Sequence, residues 1–361
     1  MAEELFDIAI VGSTPLAMLL AGLLASAHKR RVCLVVQPGI GRHIPSGIEL
    51  SVAPLTRPDT WDRLKSATGE TLKLLSRLGA RAAVQRIDPV FAADTETSAI
   101  ALSHMRHMAL GFGYAVERIL ADSPVQEPGA AFRFEDAVRL DRAALDAPLR
   151  RWLAQHKVRV VEASEGALHL QPDGALGQDG TGPWRAGEAV LADDAAILAY
   201  AEAELPGSRL HAVGRTSLVT TPAAPLAAPV LAFLDRGVWL SQPVLPGRRN
   251  PLWALAAGGG ETSLSRIGSC LGGLGPVRRA GQRGFRSLDS IDGAPVLGPL
   301  RDRLTVVAGF GTIGAFLAPA LARHLAGRSS TEEAAYFAAQ APRAAEPAVL
   351  GDYLPDAEPA L

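Results

Sequence analysis

The residues Gly12-Ser13-Thr14-Pro15-Leu16-Ala17 join the apolar run Asp7–Val11 to a helix-forming stretch, and their types and spacing point to anion binding. A turn that holds a dinucleotide diphosphate has the pattern Gly-x-Gly-x-x-Gly, with a tight turn at the first glycine and close backbone approach at the second. The helix that follows attracts an anion through its free N–H groups and its dipole. An ordinary strand-to-helix turn that binds nothing remains the stronger interpretation on this motif alone.

Two departures from the dinucleotide pattern support that alternative. Thr14 places a β-branched side chain where the second glycine would let the diphosphate touch backbone. The next strand, Val32–Val36, is followed by Gln37, whereas a dinucleotide site carries Asp or Glu there for the ribose hydroxyls. Gln37 can still hydrogen-bond a ligand, but it supplies no carboxylate.

A second glycine-rich turn, Gly309-Phe310-Gly311-Thr312-Ile313-Gly314, lies between the short strand Val306–Val307 and the helix Ala315–Leu325. Upstream, Ser290–Pro299 contains Asp292-Gly-Ala-Pro-Val-Leu-Gly-Pro. With these segments the chain resembles the FAD-dependent oxidoreductases of the D-amino-acid oxidase, glycine oxidase and sarcosine oxidase superfamily. Its members carry an Asp-Gly-x-Pro-x-x-Gly-Pro stretch, then a strand and a glycine-rich turn into a helix. The resemblance covers nearly the whole chain.

The resemblance implies non-covalent FAD, with the closing turn facing the pyrimidine edge of the flavin and stabilising negative charge there. It also implies a contact after the strand Glu188–Leu191, where members have Ala-x-Gly and this chain has Ala192-Asp193-Asp194. These carboxylates are a third departure, so FAD binding is expected to be weak. The implied cofactor-binding residues are Gly12, Ser13, Thr14, Pro15, Leu16, Ala17, Gln37, Arg42, His43, Ala192, Gly309, Phe310, Gly311, Thr312, Ile313 and Gly314.

Two residues are candidates for the catalytic, substrate-facing side. Arg286 lies near the position where related amino-acid oxidases place a carboxylate-binding arginine, one residue further from Asp292-Gly293 than usual. A planar guanidinium grips a carboxylate at two points, although a surface arginine is an equally good interpretation. Trp239 falls on the strand where relatives often place an aromatic residue over the flavin, and it could equally be part of the core. No cluster of residues with metal-ligand spacing is present, so no metal is expected.

Composition excludes other classes of protein. The 361 residues include 36 Lys+Arg and 37 Asp+Glu, and this balance argues against a nucleic acid partner. With 48% hydrophobic residues the chain is globular rather than disordered. Two cysteines suit a reducing compartment. The longest apolar run, Leu16–Ala27, is too short to span a bilayer, and the prediction is a cytoplasmic protein without a transmembrane segment.

The order of elements predicts an α/β fold that positions both turns on one cofactor. A strand–helix–strand unit opens the chain, short strands separated by Pro and Gly fill residues 208–257, and the closing turn follows. We expect a Rossmann-like FAD-binding domain with an inserted, mostly antiparallel β substrate lobe, as in glycine oxidase. The expected FAD domain is 1–40, 140–200 and 286–330. The lobe and connecting helices are 41–139 and 201–285, and 331–361 is a C-terminal tail with one helix, Thr331–Gln340.

Three functional hypotheses follow. The first is an FAD-dependent oxidoreductase that transfers hydride from an amine or amino acid to flavin N5, chemistry that the cofactor itself carries. The second is a member of the fold that is poor in FAD or lacks it and acts as a subunit or scaffold in an oligomer or complex. The third is a flavoprotein that modifies a partner protein. Fold alone does not decide among them.

Overall fold

The helices and strands below belong to a computed structural model, which describes residues 3–37, 44–55, 57–119, 129–163, 168–243, 249–271 and 277–342. The helices are α1 Pro15–Ser26, α2 Pro58–Arg77, α3 Glu96–Gly111, α4 Arg142–Gln155, α5 Asp194–Tyr200, α6 Gly260–Leu271, α7 Gly314–Leu325 and α8 Thr331–Ala338. The strands are β1 Glu4–Phe6, β2 Ile8–Val11, β3 Val32–Val36, β4 Glu49–Leu50, β5 Val84–Ile87, β6 Val90–Ala93, β7 Val116–Arg118, β8 Ala130–Phe134, β9 Ala137–Leu140, β10 Arg159–Glu162, β11 Leu168–Gln171, β12 Gly174–Asp179, β13 Gly182–Ala186, β14 Ala189–Leu191, β15 Leu210–Ala223, β16 Val230–Phe233, β17 Val238–Ser241, β18 Asn250–Ala257, β19 Arg279–Ser290, β20 Val296–Arg301 and β21 Leu304–Ala308.

A largely parallel sheet has the order β10-β3-β2-β14-β21-β20, with β20 antiparallel at its edge. Its inner strands are short apolar runs because both faces are covered, and every residue of β2 is buried. The predicted strand–helix–strand unit is β2–α1–β3, and β3 has the predicted bounds. The predicted α/β fold class is thereby confirmed.

Residues between β10 and β14 form, together with β1, a smaller sheet beside the parallel one. Its order is β1-β13-β12-β11, in which β12 and β13 are the hairpin that the glycines of 174–187 indicated. Trp184 on β13 is fully buried and packs edge-on against Phe6 at the end of β1, with ring centroids 6.5 Å apart. This contact secures the start of the chain to the crossover that leads into β14.

The inserted lobe is a sheet of order β19-β15-β18-β17-β16-β6-β8-β7, mostly antiparallel as expected. One pair departs from that pattern, since β6 and β16 run parallel although they are far apart in sequence. Residues 210–223 had suggested two short strands. They form the single strand β15, which continues through Gly214 because β18 and β19 pair with it on either side.

A buried carboxylate between β19 and β20 links the start of α2, the start of β15 and the segment after α8. Asp292 accepts hydrogen bonds from Arg57, at 2.6 Å, and from Arg209. Burial disfavours the charge of Asp292, but the two guanidinium groups outweigh it and hold its pKa below the usual range. The backbone N–H of Arg209 in turn donates to the Pro342 carbonyl at 2.9 Å. The motif around Asp292 therefore has a structural role that does not depend on a cofactor.

Residues 331–342 contain the helix that the sequence predicts in the C-terminal tail. α8 begins with a capping box between Ser330 and Glu333. It ends two residues before the end of the predicted helix. The Leu297 N–H of β20 donates to the Gln340 carbonyl at 2.8 Å. Residues from 343 onward lie outside the described part of the chain.

Helix length and hydropathy bear on the predicted absence of a transmembrane segment. Within the described ranges, none of the helices is both long enough and apolar enough to cross a membrane.

Asp292→Asn should destabilise the fold by about 3–5 kcal/mol at neutral pH, because two largely buried guanidinium groups would face a neutral amide. The lowered pKa means that this contribution is present above the unfolded value of about 3.9 and is lost as the pH falls through the folded value. Urea unfolding of wild type and variant from pH 7 to pH 3 measures both effects.

Asp136→Asn is the matched control, since Asp136 pairs with Arg86 on the surface, where the side chains are 70% and 56% exposed. We expect a loss below about 1 kcal/mol there. An equal loss in the two variants would contradict the role assigned to Asp292.

Candidate functional site

A cavity of about 1240 Å³ runs between the parallel sheet and the lobe, and both glycine-containing turns line it. Ser13 to Leu16 and Gln37 contribute from the ends of β2 and β3, and Gly12 and Ala17 are buried behind them. Ala192, Trp239, Arg286 and the whole turn 309–314 also lie in the wall. Arg42 and His43, the remaining predicted residues, lie outside the described part of the chain.

The first turn uses its own side chains to satisfy the start of α1. The Thr14 hydroxyl oxygen caps the helix by accepting from the Ala17 N–H at 3.3 Å. Pro15 occupies the first helical position and has no N–H to offer a ligand. The Ser13 hydroxyl oxygen accepts from the Gln37 N–H at 2.9 Å and so joins the ends of β2 and β3. Few donors of this turn therefore remain free for an anion.

Asp193 supplies the anion that the first turn would otherwise take from a ligand. One carboxylate oxygen accepts from the Ser13 N–H at 2.6 Å, and the other accepts from the Ala196 N–H at 2.8 Å. A Cβ on Gly12 would lie 2.9 Å from that first oxygen, so the carboxylate sits directly against the backbone of the turn. Burial raises the pKa of Asp193, while the backbone hydrogen bonds and the charge of Arg142 oppose the rise.

Arg142 brings a positive charge into the same part of the cavity. It begins α4, after the helix cap Asp141, and its guanidinium donates to Glu49 of β4 at 2.7 Å. The side chain of Glu49 is only 5% exposed, so this ion pair is largely removed from water. The cavity wall at the first turn is thus a network of two carboxylates and one guanidinium, all from the chain itself.

Asp194 faces a different element from its neighbour. Its carboxylate accepts from the Leu288 N–H of β19 at 3.1 Å. Burial raises the pKa of Asp194 to about 6; the Leu288 N–H and Arg215 oppose the rise, while the charges of Asp193 and Asp289 add to it. The sequence predicts that the carboxylates of Asp193 and Asp194 both lie near a diphosphate. In the structure, only Asp193 hydrogen-bonds to the first turn.

The closing turn has the geometry of a helix start that can meet a ligand. Gly309 and Gly311 have φ of 67° and 49°, left-handed values that favour glycine. A 3₁₀ turn, Gly311–Ile313, leads into α7, and the Thr312 hydroxyl fixes it by donating to the Val52 carbonyl at 3.2 Å. The first N–H groups of a helix have no acceptor within it, so this end attracts negative charge.

The lobe presents one face of its sheet to the cavity, and an arginine stands on that face. Arg283 of β19, Ser217 of β15, Leu255 of β18 and Trp239 of β17 are cross-strand neighbours in register. The Arg283 guanidinium lies 5.3 Å from the centre of the Phe285 ring, and its Nη1 is buried with no hydrogen-bond partner among the described residues. Burial lowers the pKa of Arg283. Such a group favours a negatively charged or carbonyl ligand.

The two residues predicted to face the substrate have different surroundings. Trp239 lines the cavity and packs edge-on against Phe91, with ring centroids 5.7 Å apart. Arg286 is already gripped at two points by Glu202, and its side chain is 54% exposed. Side chains alternate along a strand, so the Arg286 side chain leaves β19 on the opposite face to Arg283 and Phe285, although all three residues line the cavity.

Sequence reasoning missed the roles of Asp193, Arg142 and Arg283. An aspartate directly before a helix-forming stretch is a capping signal, so the Asp193–Ala196 bond could have been foreseen. The bond from Asp193 to Ser13 spans 180 positions and leaves no local pattern. In the sequence, nothing local distinguishes Arg283 from the other arginines nearby, because strand pairing decides which sheet face it occupies.

Comparisons with known proteins support the fold. No family model matches the chain, and no curated protein matches it. L-proline dehydrogenase from P. horikoshii superposes with a TM-score of 0.70 at 13% identity, over 95% of this chain and 98% of the other. Glycine oxidase from Geobacillus kaustophilus superposes with a TM-score of 0.69 at 17% identity, over 91% of this chain and 96% of the other. Iminodiacetate oxidase from Chelativorans sp. BNC1 superposes with a TM-score of 0.68 at 17% identity, over 94% of this chain and 100% of the other. The predicted resemblance is confirmed for the fold.

The parts of the cavity differ in how well they fit FAD. The closing turn and the lobe-facing volume suit the flavin ring. The first turn suits a diphosphate only if Asp193 releases the Ser13 N–H, since Pro15 and the Thr14 cap leave few other donors. At the ribose end, the Gln37 N–H is bound to Ser13 and no carboxylate follows β3. The site thus fits the flavin end better than the adenosine end.

Asp194→Asn should stabilise the protein by roughly 1–3 kcal/mol at pH 8, because the amide keeps an acceptor for Leu288 without a buried charge. A folded pKa of about 6, above the unfolded value, means that the wild type loses stability as the pH rises from about 4 to 6. The gain should therefore vanish near pH 4. Urea unfolding at both pH values measures it, with Asp302→Asn in the exposed β20–β21 turn as control. A gain that does not depend on pH would contradict this account.

Proposed function

We propose that the chain is an FAD-dependent oxidoreductase that oxidises a small amine or amino acid. One observation carries the proposal: one large cavity is lined by both strand-to-helix turns and by Arg283 of the lobe, whose Nη1 is buried with no hydrogen-bond partner among the described residues. The names of the similar structures, an amino-acid dehydrogenase and two oxidases of amine-bearing acids, point to the same class of reaction. When bound, FAD supplies at N5 the acceptor for a hydride from the carbon beside the substrate nitrogen.

The closing turn would hold the pyrimidine edge of the flavin. Its N–H groups and the dipole of α7 favour the negative charge that reduction places there. The side chain of Thr312 keeps the turn against Val52, so these donors are oriented before a ligand arrives. Pre-oriented donors stabilise a developing charge without a cost of rearrangement when the charge appears.

Arg283 is the residue that we assign to the substrate carboxylate, in place of Arg286. Its Nη1 is buried with no hydrogen-bond partner in the described part of the chain, whereas the guanidinium of Arg286 is occupied by Glu202. Contact with Phe285 orients the planar guanidinium, and such a group binds a carboxylate at two points. Trp239 stands three strands away on the same sheet face, about 14 Å along it, and would form the apolar wall of the site.

A second candidate function has one observation in its favour. Because Asp193 already satisfies the Ser13 N–H, the chain could fold and act as a subunit without FAD. The absorbance spectrum of the purified protein separates the candidates: a flavin band, or its appearance after incubation with FAD, favours the oxidoreductase. A protein that never takes up flavin favours the subunit.

Arg283→Ala should raise the substrate concentration for half-maximal flavin reduction by about thirtyfold or more for a carboxylate-bearing amine, since a lost two-point contact costs about 2–5 kcal/mol. A neutral amine should be affected far less. The measurement is anaerobic flavin reduction with amino acids, N-methyl amino acids and simple amines.

Arg286→Ala is the control, and we expect less than a threefold change because its carboxylate partner is Glu202. The reverse pattern, with a large loss at Arg286 and none at Arg283, would overturn the assignment. Flavin that binds but stays oxidised with every compound would overturn the small-amine function.

A further inference from the structure

Asp193 lies where a bound dinucleotide needs backbone donors. A diphosphate at a strand-to-helix turn is held by the N–H groups of the turn and of the first helical residues. Of positions 13 to 17, Ser13 donates to Asp193, Pro15 has no N–H, and Ala17 donates to the Thr14 hydroxyl oxygen. The Thr14 backbone also helps to hold down the pKa of Asp193. Three of the five positions therefore offer a ligand no free N–H group.

The Asp193 carboxylate also fills the space that the turn leaves open. Its oxygen lies 2.9 Å from the place where a Cβ of Gly12 would be. The first glycine of a dinucleotide turn makes that space available, and here the chain's own carboxylate takes it. A diphosphate entering the turn would meet both the volume and the like charge of this side chain.

The surroundings of Asp193 keep it in place. Its second oxygen caps α5 through the Ala196 N–H at 2.8 Å, and the charge of Arg142 favours the ionised carboxylate. Arg142 in turn is paired with Glu49, so both charged partners of the network come from the chain itself. A carboxylate that is anchored at both oxygens is a stable occupant of the site.

We infer that Asp193 occupies the diphosphate subsite as an internal anion, and that FAD binds only after this carboxylate releases the Ser13 N–H. The inference rests on the proposed function in taking FAD as the ligand. This inference places the barrier to FAD binding at one residue. From the sequence, weak FAD binding was expected from three departures together, at Thr14, Gln37 and Asp194.

The test is the dissociation constant of FAD at pH 7.5, measured by quenching of flavin fluorescence and by equilibrium dialysis. Asp193→Ser keeps a residue that caps α5 but is too short to reach Ser13, and it should tighten FAD binding at least tenfold. Asp193→Asn is the second variant in case the first does not fold, because it keeps the size and removes the charge. Circular dichroism and thermal melting establish which variants are folded.

Asp194→Ser is the matched control, since it removes the adjacent carboxylate, which bonds to Leu288 and not to Ser13. Tightening in a folded Asp193 variant beyond that in the control supports the inference. If no folded Asp193 variant binds FAD more tightly than the control does, the inference is overturned. These binding measurements need no substrate. A variant that takes up FAD but is reduced by no amine would leave the inference standing and refute the proposed function.

Discussion

The hydrogen bond from the Ser13 N–H to the Asp193 carboxylate sets the geometry on which the cavity depends. It continues a line across the carboxyl ends of three adjacent parallel strands, from Gln37 after β3 through Ser13 after β2 to Asp193 after β14. In sheets of this kind, ligands bind at that edge because helix starts and strand ends meet there. Here several polar groups of that edge hydrogen-bond to one another, so fewer of them are available to a ligand in the cavity.

The parts of the fold that could be predicted from sequence are those with local causes. A β-branched apolar run followed by a glycine and a helix-forming stretch specifies β2–α1–β3, and the glycines of 309–314 specify a turn whatever surrounds it. β15 could not be predicted as one strand, because Gly214 is a local break that pairing with β19 overrides. The parallel pair β6–β16 has no local cause and emerges only from the assembled lobe.

The site was less predictable than the fold for a related reason. Alternation along a strand gives two faces, but only the pairing with neighbours decides which face meets the cavity. β19 pairs Ser217 with Arg283 and Gly214 with Arg286, and this register places Arg283 on the inner face. The resemblance pointed to Arg286 by its distance from Asp292, and a shift of one residue is enough to turn a side chain to the other face of the sheet.

The position of β14 has a consequence for biosynthesis. This strand lies between β2, at residues 8–11, and β21, at residues 304–308. A ribosome releases β14 well before β21, so the nascent chain carries this buried strand with an uncovered edge while β15 to β19 of the lobe are translated. Unpaired edges of this kind invite association between chains, and such distant pairings form slowly. The parallel sheet can therefore be completed only after residues 296–308 have left the ribosome.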